Sequence, residues 1–193
     1  MAINLEKGGR INLEKDGHAL TKVRLGLGWE PNTFDTGAEF DLDVSVFVCA
    51  PNAAGQSKLL ADEFMVFYNN PSSPDGAVVH SGDSRKGEGV GDDETVQVDL
   101  TTLDRRATEL SIIVTIHKAD ERRQNFGQVR NSYIKLYNDV TGEEIAKYML
   151  EDDFSLETAV QFGSLYQRDG KWLFKAVGAG YKKGLADFVA VYQ

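Results

Sequence analysis

Residues 41–49 read D-L-D-V-S-V-F-V-C, and this stretch decides the fold. Apolar and polar residues alternate along it, which is the period of a half-buried β-strand. Successive side chains of a strand point to opposite faces, so Asp41 and Asp43 share the face opposite the apolar residues. With the apolar face towards the core, we expect the two carboxylates to point outwards or towards a loop at the end of a sheet.

Similar segments recur along the chain at roughly regular spacing, and most are bounded by glycine, proline, asparagine or aspartate. Many short strands separated by such turns are typical of a two-sheet sandwich. The sequence therefore predicts a mainly all-β fold, a two-sheet β-sandwich with one or two short helices. The predicted strands are residues 22–29, 41–49, 64–68, 77–80, 95–100, 110–117, 130–137, 145–150, 159–167 and 172–177.

Local signals predict a turn and two helices. The N-terminus repeats I-N-L-E-K at residues 3–7 and 11–15, which predicts two strands joined by a hairpin-like turn at the intervening glycines. Residues 101–104, T-T-L-D, resemble a capping box that opens a short helix ending near residue 109. Apolar residues at positions 185, 188, 189 and 192 favour a short amphipathic C-terminal helix, with a strand as the alternative.

The totals indicate one domain over residues 1–193, since 41% hydrophobic content in a chain of this length supports a sizeable core. A net charge of −9 argues against nucleic acid and anionic membrane as direct partners. The sequence shows neither an apolar run long enough for direct membrane insertion nor the pattern of a signal peptide. Its one cysteine, Cys49, cannot form an internal disulfide, so we expect cytoplasmic residence.

Residues 83–94 read D-S-R-K-G-E-G-V-G-D-D-E and combine five carboxylates with alternating glycines. Crowded carboxylates repel one another, and glycines let side chains and carbonyls converge on one point. An anionic, flexible and oxygen-only ligand set is what Ca2+ prefers. Asp41 with Asp43, and the oxygen-rich loop 69–76, offer further ligands, so about two ions are predicted.

Other kinds of site fit this sequence less well. The loop has Arg85 and Gly87 where an EF-hand needs oxygen ligands, and Glu88 where a phosphate-binding loop needs lysine. The three histidines lack the spacing of zinc ligands. Two interpretations stay open beside calcium binding: a solvated acidic turn, and a pair of carboxylates acting as general acid and base.

Taken together, these segments resemble one family. The stretch G-E-G-V-G-D-D-E at 87–94, with D-L-D-V-S-V-F at 41–47, resembles the TerD family of tellurite-resistance and stress-response proteins. The similarity runs from the N-terminus to residue 186 or so, which identifies the chain as a single TerD-like domain. Further similar segments are K-G-G (7–9), G-L-G-W (26–29), F-Y-N-N (67–70), G-D (82–83), N-S-Y-I (131–134), E-T-A (157–159), F-G (162–163) and F-K-A-V-G-A-G-Y (174–181).

The resemblance implies a β-sandwich whose loops bind Ca2+ at one end. It also implies a calcium-binding stress-response protein without catalytic activity, an interaction module that associates with other proteins of a tellurite-resistance system, often near the membrane. The alternative is an acidic scaffold that binds basic partner proteins without a calcium requirement. The family's acidic positions correspond here to Asp41, Asp43, Asn69, Asp75, Asp83, Glu88, Asp92, Asp93 and Glu94.

The sequence departs from the family pattern in two places. Glu30 follows the Gly-Trp pair where the family usually has aspartate. Arg85 and Lys86 place two positive charges inside the acidic loop. These cations would weaken calcium binding if they pair with the loop's carboxylates, and would leave it unchanged if they point outwards.

Overall fold

Strands dominate the fold, as the alternating sequence predicts. The computed structural model describes residues 3–4, 6–15, 18–32, 37–85, 91–150 and 154–193. Its elements are β1 (Ile3–Asn4), β2 (Arg10–Asn12), β3 (Glu14–Lys15), β4 (His18–Ala19), β5 (Lys22–Gly28), β6 (Leu42–Pro51), β7 (Ser57–Leu59), β8 (Met65–Val66), β9 (Val78–His80), β10 (Glu94–Asp99), β11 (Glu109–Ile116), α1 (Ala119–Arg122), β12 (Tyr133–Asn138), β13 (Glu143–Met149), β14 (Ala159–Arg168), β15 (Lys171–Tyr181) and α2 (Leu185–Tyr192). Short 3-10 turns cover Asp62–Phe64 and Phe126–Gln128.

The strands form two main sheets. The first sheet has the order β1-β13-β12-β5-β10-β9, and the second has the order β2-β15-β14-β11-β6-β7, with β8 also paired to β6. The pair β1–β13 is parallel, whereas the other pairs of these sheets within the described residues are antiparallel. This arrangement confirms the predicted two-sheet sandwich.

The main core lies between the two sheets. Leu25 and Leu27 of β5 are fully buried there, as are Val46 of β6 and Ile112 of β11. These residues come from the alternating apolar positions of their strands. The hydrophobic effect of roughly 25 cal/mol per Å² of buried apolar surface therefore holds the sheets face to face.

A second apolar layer covers the outer face of the second sheet, beneath α2. Phe47 and Cys49 of β6 cluster there with Phe188 and Tyr192 of α2, and the Phe47 and Tyr192 ring centroids are 5.0 Å apart. The Tyr192 hydroxyl also shares a hydrogen bond of 2.7 Å with that of Ser111. Burial raises the pKa of the Cys49 thiol to about 12, so this thiol is a structural apolar group.

Local predictions near the chain ends had mixed outcomes. The C-terminal helix is confirmed as α2. The N-terminal hairpin is wrong, because β1 joins the first sheet beside β13 while β2 joins the second sheet beside β15. The short helix α1 had no sequence signal that we recognised. Among the described residues, no helix combines the length and apolarity needed to cross a membrane.

The helix predicted over residues 101–109 is also wrong, because turns occupy this segment. Asp99 accepts hydrogen bonds from the Thr101 backbone N–H (3.0 Å) and hydroxyl (2.6 Å). Asp104 accepts two from the Arg106 guanidinium. Such local side-chain bonds offer the backbone an alternative to helical pairing.

Candidate metal centre

Three aspartates meet at one end of the sandwich. Asp41 immediately precedes β6, Asp43 lies within β6, and Asp83 follows β9 in the neighbouring sheet. One carboxylate oxygen from each lies within 4.8 Å of the other two. We call these three residues the aspartate cluster.

Two of the three aspartates are buried more deeply than the alternating pattern predicts, whereas Asp83 is exposed. Asp41 is 7% exposed and Asp43 is 4% exposed, so neither carboxylate points outwards to solvent. The reason is that β6 is covered on both faces, from residue 42 through residue 49. Asp41 and Asp43 share their face of the strand with Phe47 and Cys49, which α2 covers.

Burial and mutual repulsion make Asp41 and Asp43 costly to charge. Burial raises the pKa of Asp43 to about 8, with further contributions from Glu94, Asp41 and Asp83. Burial likewise raises the pKa of Asp41, while His117 acts in the opposite direction. A divalent cation placed among these carboxylates would offset the cost of burying their charges and the repulsion between them.

Two cationic side chains already lie against the cluster. The Arg85 Nε lies 2.7 Å from Asp83 Oδ2, although the Arg85 side chain is 78% exposed. The Arg122 Nη1 lies 3.4 Å from Asp41 Oδ2. An exposed pair such as Arg85–Asp83 is weak, because water screens it. Arg85 therefore pairs with a loop carboxylate, whereas Lys86 lies outside the described residues.

One oxygen of the cluster is left without a partner. Asp41 Oδ1 is buried and has no hydrogen-bond donor among the described residues. The aspartate cluster lines a cavity of about 170 Å³ together with Tyr68, Arg85, His117 and Arg122. Three carboxylates and the Tyr68 hydroxyl around this cavity are ligands that suit a hard cation, and Ca2+ takes about six to eight oxygen ligands.

Glu94 fastens the two sheets together beside the cluster. It lies on the inner face of β10, as Val96 does, and it is fully buried. Its Oε2 accepts a hydrogen bond of 3.0 Å from the Val44 N–H of the opposite sheet, and its Oε1 accepts one of 3.2 Å from Ser84. The His80 Nε2 lies 3.4 Å from the same Oε2. Glu94 therefore closes the end of the sandwich.

Asp92 anchors the acidic loop to the outer face of the first sheet. Its carboxylate accepts hydrogen bonds from Arg24 (3.1 Å), Tyr133 (3.2 Å) and Tyr137 (3.2 Å). It lies directly over Gly26 of β5, where a Cβ atom would overlap it. Glycine at position 26 is therefore required by the close approach of the loop.

Replacing Gly26 by alanine is expected to lower the free energy of unfolding by about 1–3 kcal/mol, because the new methyl group displaces Asp92. Urea unfolding followed by circular dichroism measures this change. Gly184→Ala is the control, since a Cβ there meets nothing within 4 Å, and its cost should stay within about 1 kcal/mol. Equal stabilities of the two variants would contradict the assignment of Asp92 as a loop anchor.

None of the other predicted ligands that the structure describes joins the cluster. Asp93 accepts a hydrogen bond of 3.1 Å from the Trp29 N–H, and Asn69 is exposed in a turn. Asp75 accepts bonds from Ser73 (2.5 Å), Ala77 (3.0 Å) and Asp104 (2.7 Å).

Asp75 lies far from the cluster along the sheet. The Asp99 N–H donates to the Ala77 carbonyl, so this loop meets the end of β10 opposite Glu94.

Glu88 and the acidic residues 151–153 lie outside the described part of the chain. The structure thus brings together three of the nine predicted ligands, with Glu94 beside them.

Sequence reasoning did not select two cavity-lining residues, His117 and Arg122. The His117 Nδ1 lies 3.8 Å from Asp43 Oδ2. His117 directly follows β11, and Arg122 is the last residue of α1, so neither lies in the glycine-rich acidic loop or in its partner strand β6. Their positions follow from the pairing of β11 with β6, which places Ile116 opposite Leu42.

Comparison with known proteins agrees with the fold and the sequence pattern. The TerD domain matches residues 1–192. General stress protein 16U of Bacillus subtilis (strain 168) and tellurium resistance protein TerD of Serratia marcescens are each 45% identical over 192 residues, covering 100% of this chain and 97% of the relative. A solved homologue of telluride resistance protein (TerD) from Streptomyces coelicolor A3(2) has the same fold, with a TM-score of 0.75, 23% identity, and coverage of 89% of this chain and 96% of that chain. The resemblance seen in the sequence is confirmed, and the chain belongs to the TerD domain family.

Proposed function

We propose that this chain is a calcium-binding stress-response protein that acts as a non-catalytic interaction module of a tellurite or chemical-stress resistance system. The names of its relatives, tellurium resistance protein and general stress protein, support the biological setting. The aspartate cluster, with the unpartnered Oδ1 of Asp41, carries the calcium assignment. Association with other proteins of the system and cytoplasmic residence stay predictions, which co-purification and cell fractionation test.

Calcium at the cluster would connect the two sheets. Asp41 and Asp43 belong to the segment of β6 in the second sheet, and Asp83 follows β9 of the first sheet. An ion bound by all three would stabilise the folded state, because a ligand that binds only the native form shifts the folding equilibrium. The proposal places one ion here, and the predicted second ion awaits a measured stoichiometry.

Asp43→Asn is expected to weaken calcium binding by roughly 100-fold or more. Changes in groups that only support a metal ligand already reach losses of about 100-fold, and Asp43 is a proposed ligand itself. The substitution removes one anionic oxygen from the cluster while conserving shape. Isothermal titration calorimetry on chelator-treated protein measures the affinity and the stoichiometry. The matched control is Asp75→Asn, the same chemical change outside the cluster, which should bind like the unmodified protein. Wild-type affinity in the Asp43 variant would contradict the proposed site.

Metal identity and metal removal are tested on the unmodified protein. Chelator should lower its melting temperature and Ca2+ should restore it. Ca2+ should bind more tightly than Zn2+, because three carboxylates form a hard ligand set and His117 is the one histidine among the described residues lining the cavity. Preference for zinc would overturn the calcium assignment while keeping a metal site.

The alternative is an acidic scaffold that docks onto basic partners without calcium. The net charge of −9 favours it, and so does the pairing of Arg85 and Arg122 with cluster carboxylates, which shows that guanidinium groups fit there. The two functions differ in their response to chelator. A scaffold would bind its partner equally with and without calcium, and the binding would weaken with salt.

A further inference from the structure

A second cavity, of about 610 Å³, lies next to the aspartate cluster and carries the opposite charge. Three of its lining residues are arginines: Arg122, Arg123 and Arg130. Within the described part of the chain, no aspartate or glutamate lines it. Arg122 also pairs with Asp41 Oδ2 at 3.4 Å, so the positive charge that this cavity offers an anion rests first on Arg123.

Arg123, which lines this cavity, has an unusual backbone conformation. It ends α1 with a φ of 54°, in the left-handed region that non-glycine residues rarely adopt. Its N–H donates to the Ala119 and Asp120 carbonyls, which fixes that conformation. The Arg123 side chain is paired with no carboxylate among the described residues, so its charge is available to a ligand.

A buried acceptor in the same cavity lacks a donor. Gln124 is 7% exposed and lines the cavity. Its Nε2 donates to the backbone carbonyls of Ala38 (2.8 Å) and Glu39 (3.3 Å), which fixes the orientation of the amide. Its Oε1 has no partner among the described residues, and an unpaired buried acceptor costs free energy. The cavity thus offers cationic donors together with one acceptor.

We propose that this arginine cavity binds a protonated oxyanion, for which inorganic phosphate is the probe. Guanidinium groups present planar forks of N–H donors that match oxyanion oxygens. The hydroxyl of monohydrogen phosphate would donate a hydrogen bond to Gln124 Oε1. An anion without a proton could not donate this bond and would leave Oε1 unpaired. Sulfate has a similar shape and the same charge at neutral pH but carries no proton, so it separates the contribution of Gln124 from that of the arginines.

The experiment is a titration of chelator-treated protein, followed by NMR through the Nε–Hε signals of arginine. Chelation keeps the test independent of calcium binding. We expect saturable shifts of the Arg122, Arg123 and Arg130 signals with phosphate, and binding of sulfate at least several-fold weaker. Arg123→Gln should weaken phosphate binding about tenfold, the effect of one charge-assisted hydrogen bond.

Arg105→Gln is the matched control, because it makes the same charge change at an exposed position outside the cavity. It should bind phosphate like the unmodified protein. Equal losses in the two variants would show general charge attraction and overturn the proposal. Absence of saturation would overturn it as well, and equal affinity for phosphate and sulfate would remove the role assigned to Gln124.

Discussion

Replacement of Glu94 by alanine is expected to lower the free energy of unfolding by about 2–5 kcal/mol, because it deprives two backbone N–H groups of their acceptors. These groups belong to Val44, which is buried in the opposite sheet, and to Ser84 in the loop. The change also leaves His80, which is buried, without the carboxylate 3.4 Å away. Chemical unfolding of chelator-treated protein measures the loss.

Glu94→Gln distinguishes the loss of acceptors from the loss of volume. Glutamine has nearly the same size, but it presents one acceptor oxygen where Glu94 uses two. One of the two N–H groups would therefore face an amide N–H. We expect a stability between those of the wild type and the alanine variant. An alanine variant as stable as the wild type would show that Glu94 does not hold the sheets together.

The stability of the calcium-free protein is expected to contain a component that falls as the pH rises from about 4 to about 8. Burial raises the pKa of Asp43 from 3.8 to about 8, so the folded state keeps a proton that the unfolded state releases. The stabilisation is complete below the unfolded pKa and is lost as the pH rises through the folded pKa. By pH 7 the loss amounts to about 4 kcal/mol.

Asp43→Asn isolates this component from the titration of all other groups. The variant should be more stable than the calcium-free wild type at pH 7, and its advantage should vanish near pH 4. Thermal or urea unfolding at several pH values gives the two curves. Saturating calcium should reverse the order at pH 7, because the wild type then gains binding energy that the variant lacks. Parallel pH curves without calcium would contradict the raised pKa.

The fold was predictable because its signal is local. Alternation within strands such as β6 and β10 predicts both their extent and their inner faces. What the alternation could not predict is the cover over the outer face of β6, which α2 supplies from the far end of the chain. Asp41 and Asp43 were expected to point outwards or towards a loop at the end of a sheet, and they are found buried beside Asp83 of such a loop.

The candidate site was predictable only in part, because carboxylates have several uses in a fold. Asp41, Asp43 and Asp83 meet, whereas Asp75 and Asp92, which also lie in oxygen-rich loops, bond to neighbouring backbone, tyrosine and arginine groups. Composition does not distinguish a ligand from an anchor. The distinction depends on strand register and on partners distant in sequence.

Arg122 lines both cavities, so the proposed cation and the proposed anion would share one side chain. A cation at the aspartate cluster would take over Asp41 and leave the guanidinium to an anion on its other side. Linkage is reciprocal, so each ion would then raise the affinity for the other by the same factor. Such a protein would bind each ion most tightly when the other ion is also present, so its ligand occupancy would depend on both concentrations at once.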